Sequence, residues 1–186
     1  MEQKIQEKIL NEVKRIQEDC LYSEKGHFNA AQRWGNIHLW LGIPAVILAA
    51  IAGASALSQF DNHNIIAGIL AIIVSALSAV ATFLNPNEKA NNHHYAGNQY
   101  KNLRNSARIL SEIDIHLIID DKEILRELKD LNKQRSELNQ KLPQISRWAY
   151  KKAKEGIRRG EAKYEIDEEK QFSSGSVTKR EKEENH

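Results

Sequence analysis

An all-α protein, built on a two-helix transmembrane hairpin with helices at either end packed as a bundle, is predicted by three features. No Asp, Glu, Lys or Arg occurs from Ile37 to Phe60. None occurs from Ile65 to Leu84 either, and only a short polar turn separates the two runs. On both sides of them, apolar residues recur at steps of three and four among dense charge, the period of a helix with one covered face. Mean hydropathy is −0.58 over the chain and 28% of residues are charged. That average hides the segregation, because almost all the charge lies outside residues 37–84.

With 186 residues there is room for about one domain. Residues 1–33 read as an N-terminal amphipathic helix on the cytoplasmic side. Ile5, Ile9, Val13, Ile16 and Cys20 line one face, and Gly26 is expected to interrupt it. Cys20 is the single cysteine, so no intrachain disulfide is available, and its place on the apolar face predicts a buried, inert thiol. Met1 to Glu12 alternate charges and lack the apolar core of a signal peptide. Trp34 and Trp40 flank the start of the first apolar run. Indoles there suit an interface anchor, with the ring among acyl chains and the N–H toward water.

Residues 34–86 form the hairpin, with spans at about 37–59 and 64–85. About 20 apolar residues at 1.5 Å per residue cover a hydrocarbon core of roughly 30 Å. Two such runs joined by Gln59 to Asn64 must run antiparallel and pack on each other. A soluble bundle would give each helix a polar stripe, and neither run has one. Pro44 falls in the first turns of the first span, where a missing N–H costs least. Pro86 marks either the end of the second span or a kink. Arg33 precedes the first span and Lys89, Lys101, Arg104 and Arg108 follow the second, while the turn carries only Asp61. The positive-inside rule then leaves both termini in the cytoplasm of a multi-pass protein.

Residues 87–166 are expected to be a helical cytoplasmic region. Ala96, Tyr100, Leu103, Ala107, Leu110 and Leu117 make an apolar line, and Asp120 or Asp121 suits the cap of the next helix. Ile124, Leu128, Leu131, Leu138 and Leu142 follow a heptad, with Arg135 at its sixth seam position, which suggests coiled-coil-like packing. Pro143 ends that helix. A last helix runs from about Ile145 to Arg159, with Gly160 as its C-terminal cap. Residues 167–186 are rich in Glu, Lys and Ser and are expected to be a disordered tail.

Small residues recur along the spans at steps of four: Ala45, Ala49 and Gly53; Ala50, Ala54 and Ser58; Ala67, Ala71, Ser75 and Ala79. Lipid gives helices no hydrophobic drive to associate, so close backbone approach matters more. These faces either zip the hairpin or leave one surface for neighbouring subunits in a homo-oligomer. A conducting path would have only Ser55, Ser58, Ser75, Ser78, Thr82 and a few asparagines to line it, and so is expected to be oligomeric and weakly selective. His93 and His94 point about 100° apart on a helix and do not chelate one ion easily. There is no phosphate loop, nucleophile elbow or paired-cysteine zinc spacing, so neither enzyme activity nor a metal or other cofactor is expected. A net charge of +2 gives no reason to expect direct nucleic-acid binding.

One stretch is more specific. Phe83-Leu84-Asn85-Pro86-Asn87-Glu88-Lys89-Ala90 is followed by His93, Ala96-Gly97, Tyr100 and Leu103-Arg104, and later by Leu142-Pro143-Gln144-Ile145, Trp148-Ala149-Tyr150, Gly156-Ile157 and Gly160-Glu161, ending near Tyr164. From Trp34 to Tyr164 the chain resembles the SLATT family, two-transmembrane domains of bacterial conflict systems. The resemblance implies an effector of antiviral defence in the bacterial inner membrane, forming a pore or disrupting the bilayer to arrest an infected cell. It implies a separate sensor as partner, either a nucleotidyltransferase with a cyclic-nucleotide signal or a reverse transcriptase. Many relatives are fused to or paired with a signal-receiving domain. None is visible here, so the signal is expected from a partner or from a ligand held between the helices. His93, Gly97, Tyr100, Leu103 and Arg104 are the candidates for transmitting it, since their helix leaves the membrane directly; the alternative is that they only pack this helix on the N-terminal one. A non-conducting anchor or scaffold that recruits a cytoplasmic partner is the competing function.

Overall fold

A computed structural model describes residues 2–115, 118 and 120–163. The expected apolar position Leu117, Tyr164 and the charged tail fall outside these residues. Within them the protein is all helix and connection, with no strand. Helix α1 spans Glu2–Leu57, α2 His63–Leu84 and α3 Pro86–Ile109; α3 runs on into a π turn at Leu110–Asp114. Helix α4 spans Asp121–Lys141 and α5 Arg147–Arg158.

The N-terminal amphipathic helix and the first span are one helix of 56 residues, about 84 Å long at 1.5 Å per residue. Two expectations change as a result. Gly26 does not interrupt the helix. A Cβ there would lie 3.0 Å from the Cδ1 and Cγ2 of Ile145, so the glycine serves the close approach of the α4–α5 connection. Pro44 is likewise not near a helix start but deep inside α1. An internal proline removes one i→i−4 bond, and this one does so within the apolar run.

One seam runs almost the whole length of α1. Ile9, Val13, Ile16 and Cys20 are buried, and further steps of three and four reach Glu24, His27 and Ala31, also buried. Ile5, expected on this face, is 46% exposed. Against this seam pack Tyr100, Leu103, Ala107 and Leu110 of α3 and its π turn, and Ile124 and Leu131 of α4. Val13, Ile16, Cys20 and Ile124 are fully buried; burying one such aliphatic side chain is worth about 1.5–3 kcal/mol.

The heptad of α4 is used within the chain. Leu128, Leu138 and Leu142 pack on the same core, and Arg135 reaches out of the seam to Asp19, Nη1 to Oδ2 at 2.6 Å. Asp120 caps α4 through the N–H of Lys122. Leu142 is extended, as a residue before proline must be. Ser146 caps α5 through the N–H of Ala149, and Gly160 follows its end at φ +90°. Ala149, Ala153 and Gly156 bury the inner face of α5 against α1, where Tyr22 and Tyr150 stack at 5.9 Å.

The two apolar arms stand away from this four-helix bundle. Helix α2 has no buried residue. Val46, Ile72 and Phe83 are 71%, 71% and 87% exposed, an apolar surface that water would penalise at about 25 cal/mol per Å². The arms touch along a 3.5-residue seam of half-covered residues: Leu41, Ala45, Leu48, Ala52 and buried Ser55 on α1, facing Ala67, Leu70, Val74, Leu77, Ala81 and Leu84 on α2. Of the small residues at steps of four, expected either to zip the hairpin or to face neighbouring subunits, Ala45, Ser58 and Ala67 are half-covered. Ala49, Gly53, Ala71, Ser75 and Ala79 are exposed on the outside. Four residues turn a helix by about 400° while a seam at 3.5 drifts slightly the other way, so a stripe at steps of four drifts about 50° per step off that seam. A Cβ at Gly53 or Gly68 would meet nothing within 4 Å. The outward hydroxyls of Ser75 and Thr82 donate to their own helix, at the carbonyls of Ala71 and Ser78.

Asparagines in the left-handed region set both turns: Asn62, at φ 61°, starts α2, and Asn85, at φ 42°, ends it. Asn85 alone separates α2 from α3. Its N–H caps the Ala81 carbonyl, its side-chain amide donates to the Glu88 carboxylate, and Pro86 takes the first helical position. Asparagine tolerates this conformation better than most residues, and Pro86 marks an end, not a kink.

Candidate functional site: a polar interlock between α1 and α3

The heptad-like steps of α1 bring Glu24, His27 and Phe28 to the level of the helix that leaves the hairpin. Steps of three and four on α3 place His93, Ala96-Gly97, Tyr100 and Leu103-Arg104 on its inner face, and among the described residues this is the most extensive contact between helices. All five transmission candidates sit in it: His93, Gly97, Tyr100 and Leu103 are buried and Arg104 is nearly so.

The Nδ1 atoms of His27 and His93 are 3.0 Å apart. Two imidazoles share such a contact only if one donates and the other accepts, so the accepting ring is neutral. Burial, then His93, pushes His27 down to about 4, and burial also lowers His93. The His27 ring stacks on Tyr100 at 5.4 Å, and the Tyr100 hydroxyl donates to Oδ1 of Asn139 on α4 at 2.7 Å. Gly97 admits the Phe28 ring: a Cβ at 97 would lie 2.8 Å from Phe28 Cε1.

Arg104 Nη1 lies 3.2 Å from Glu24 Oε2, with side chains 12% and 7% exposed. Burial raises the Glu24 carboxyl, opposed by Arg104, Lys101 and Lys25. Among the described residues Glu24 Oε2 has no directed hydrogen-bond partner, so its contact with Arg104 is one of charge attraction. A buried pair of this kind costs desolvation to form and is damaging to break.

The sequence alone singles out neither Glu24 nor Asn139. A signal for Glu24 is present, since extending the Ile9–Cys20 steps lands on Glu24, His27 and Ala31. Asn139 is adjacent to the α4 heptad and gives no such cue. Trp34 is half-buried under the Lys89 ammonium at 4.5 Å, and Trp40 is 79% exposed. Cys20 is fully buried beside the site, and burial pushes its thiol up to about 12, which keeps it protonated and unreactive.

Cavities lie on either side of the interlock. One of about 550 Å³ lies between α1, α3, α4 and α5 and is lined in part by Cys20, Tyr22, Tyr100, Arg135 and Asn139. The other, of about 600 Å³, lies toward the hairpin and includes His93. Among the described residues no group of three or more His, Cys, Asp or Glu converges on one point, and two imidazoles alone do not complete a metal's coordination.

A family model described as SMODS and SLOG-associating 2TM effector domain family 4 matches residues 9–169, from the first buried residue of α1 past the end of α5. No curated protein and no solved structure matches the chain.

Proposed function

The chain belongs to the SMODS and SLOG-associating 2TM effector domain family and is a membrane protein of that family; from this premise we propose that it is the effector of a bacterial antiviral defence system, opening a leak in the inner membrane when a separate sensor signals. It works without enzymatic chemistry. The bundle and both termini face the cytoplasm, where Arg33 and Lys89 flank the spans and meet anionic lipid. The sensor is a nucleotidyltransferase with a cyclic-nucleotide signal, or a reverse transcriptase.

The observation that carries this reading is the mechanical path. Helix α1 runs unbroken from the interlock through the first span, and α3 is joined to the second span through Asn85 alone. Both helices that meet at His27–His93 and Glu24–Arg104 are therefore continuous with, or one residue from, a span. A signal that favours a different α1–α3 packing has to move the hairpin, and it can do so only through differential affinity for the two arrangements. In the quiet state the interlock holds. In the active state hairpins meet through the outward small residues Ala49, Gly53, Ala71, Ser75 and Ala79, where backbones can approach closely.

A second reading, a non-conducting membrane anchor for a cytoplasmic partner, is favoured by the absence of any charged side chain from Ile37 to Phe60. Expression in bacteria while membrane potential and uptake of an impermeant dye are followed separates the two. A leak effector depolarises cells and admits dye on activation. An inserted, correctly folded protein that does neither with its sensor active is an anchor.

A further inference from the structure

The cavity of about 600 Å³ beneath the interlock opens where the bundle meets the apolar arms. α1 contributes Arg33, Trp34 and Ile37 to its wall, α3 contributes Lys89, and the α4–α5 connection closes it with Ile145 and Ser146. Arg33 is the last charged residue before the first span and Lys89 the first basic residue after the second, so both cations sit at headgroup depth. No Asp or Glu lines this cavity, whereas Glu18 and Asp19 line the one above the interlock. Neither cation forms an ion pair with a carboxylate among the described residues. Each is instead steadied by an indole face: Lys89 Nζ over Trp34 at 4.5 Å and the Arg33 guanidinium over Trp148 at 5.0 Å. Ser146 is the N-cap of α5, so the positive end of that helix borders the same space.

We propose that this cavity binds the phosphate headgroup of an anionic phospholipid from the surrounding bilayer, held between Arg33 and Lys89, with an acyl chain leaving along Ile37 toward the hairpin. The inference requires the arms to lie in lipid, but it does not require the protein to conduct. Trp34, Ile37 and Ile145 make the wall amphipathic, which suits a lipid better than free phosphate. Because His93 and Ile145 line the cavity, a bound lipid would brace α3, α1 and the α4–α5 connection together, and membrane composition would set how firmly the interlock is held.

The test is lipid binding by the full chain in neutral detergent, read by native mass spectrometry and by thermal shift, with phosphatidylglycerol, phosphatidylcholine and inorganic phosphate as probes. Wild-type protein is expected to bind phosphatidylglycerol about thirtyfold more tightly than phosphatidylcholine, from two cations near the surface at the usual strength per charge. The R33Q/K89Q variant should lose that preference. R33K/K89R should keep most of it, and so should K129Q/K133Q, which removes two exposed charges on α4. Equal binding of the two lipids by wild-type protein overturns the proposal without any variant being needed. A full phosphatidylglycerol preference in R33Q/K89Q also overturns it, as does inorganic phosphate stabilising the protein as well as the lipid does.

Discussion

The Nδ1 atoms of His27 and His93 meet 3.0 Å apart, inside the contact between the two helices that lead into the membrane. Both rings are held below the ordinary histidine value, His27 at about 4 against 6.5. A lowered folded-state value means that the unfolded chain binds protons first as pH falls. The stability from the neutral His27 ring is therefore complete above about 6.5 and is lost as pH falls through about 4, and His93, also lowered by burial, acts in the same direction. Denaturation midpoints in detergent at a series of pH values should drop across that window. H27F, which keeps an aromatic ring against Tyr100, should flatten the drop.

The Glu24–Arg104 pair gives a second expectation. Neutralising either partner removes the other's 3.2 Å contact in a largely buried setting, so E24Q or R104Q should each destabilise the bundle, R104Q by about 3 kcal/mol. The E24Q/R104Q double variant should lose less than the sum of the two single losses. A double-mutant cycle by denaturation measures this coupling, and additive losses would mean that the pair does not interact in solution.

Gly97 and Phe28 are coupled by shape. G97A places a methyl group against the Phe28 ring and should cost about 1–3 kcal/mol through overpacking. F28L should recover part of that cost, because its smaller side chain vacates the space. The same denaturation assay reads both variants.

Much of this was legible in the sequence. The two uncharged runs, the 3–4 spacing of Ile9 to Cys20, the α4 heptad and the caps at Asp120 and Gly160 all reflect local chemistry, and the fold follows them. Three features were not legible for physical reasons. Gly26 looked like a breaker because helix propensity penalises glycine, yet tertiary approach to Ile145 overrides that preference. The small residues at steps of four do not by themselves say whether they form the hairpin seam or an outer face, and the seam, which follows a period of 3.5, leaves most of them outside. The polar residues of the interlock, Glu24 and His27, hid in an apolar stripe because a pattern of hydrophobicity does not announce a buried charge whose partner lies 80 residues away.

The outward small residues supply a fourth expectation. G53L/A71L adds bulk where a Cβ at Gly53 meets open space and Ala71 is exposed, so insertion and monomer stability should be unchanged. Oligomers trapped by crosslinking in membranes, and dye uptake on activation, should fall together. Unchanged crosslinking would remove these faces from the assembly.

The most direct measurement of the central claim, that the interlock holds the hairpin quiet, is dye uptake and membrane potential in cells expressing R104Q without any sensor, beside wild-type protein and R104K at matched membrane levels. The account expects R104Q to leak constitutively, wild-type protein to stay tight, and R104K to lie between them. R104Q that inserts and keeps its helix content, yet stays as tight as wild-type protein and still opens normally when the sensor is supplied, would contradict it.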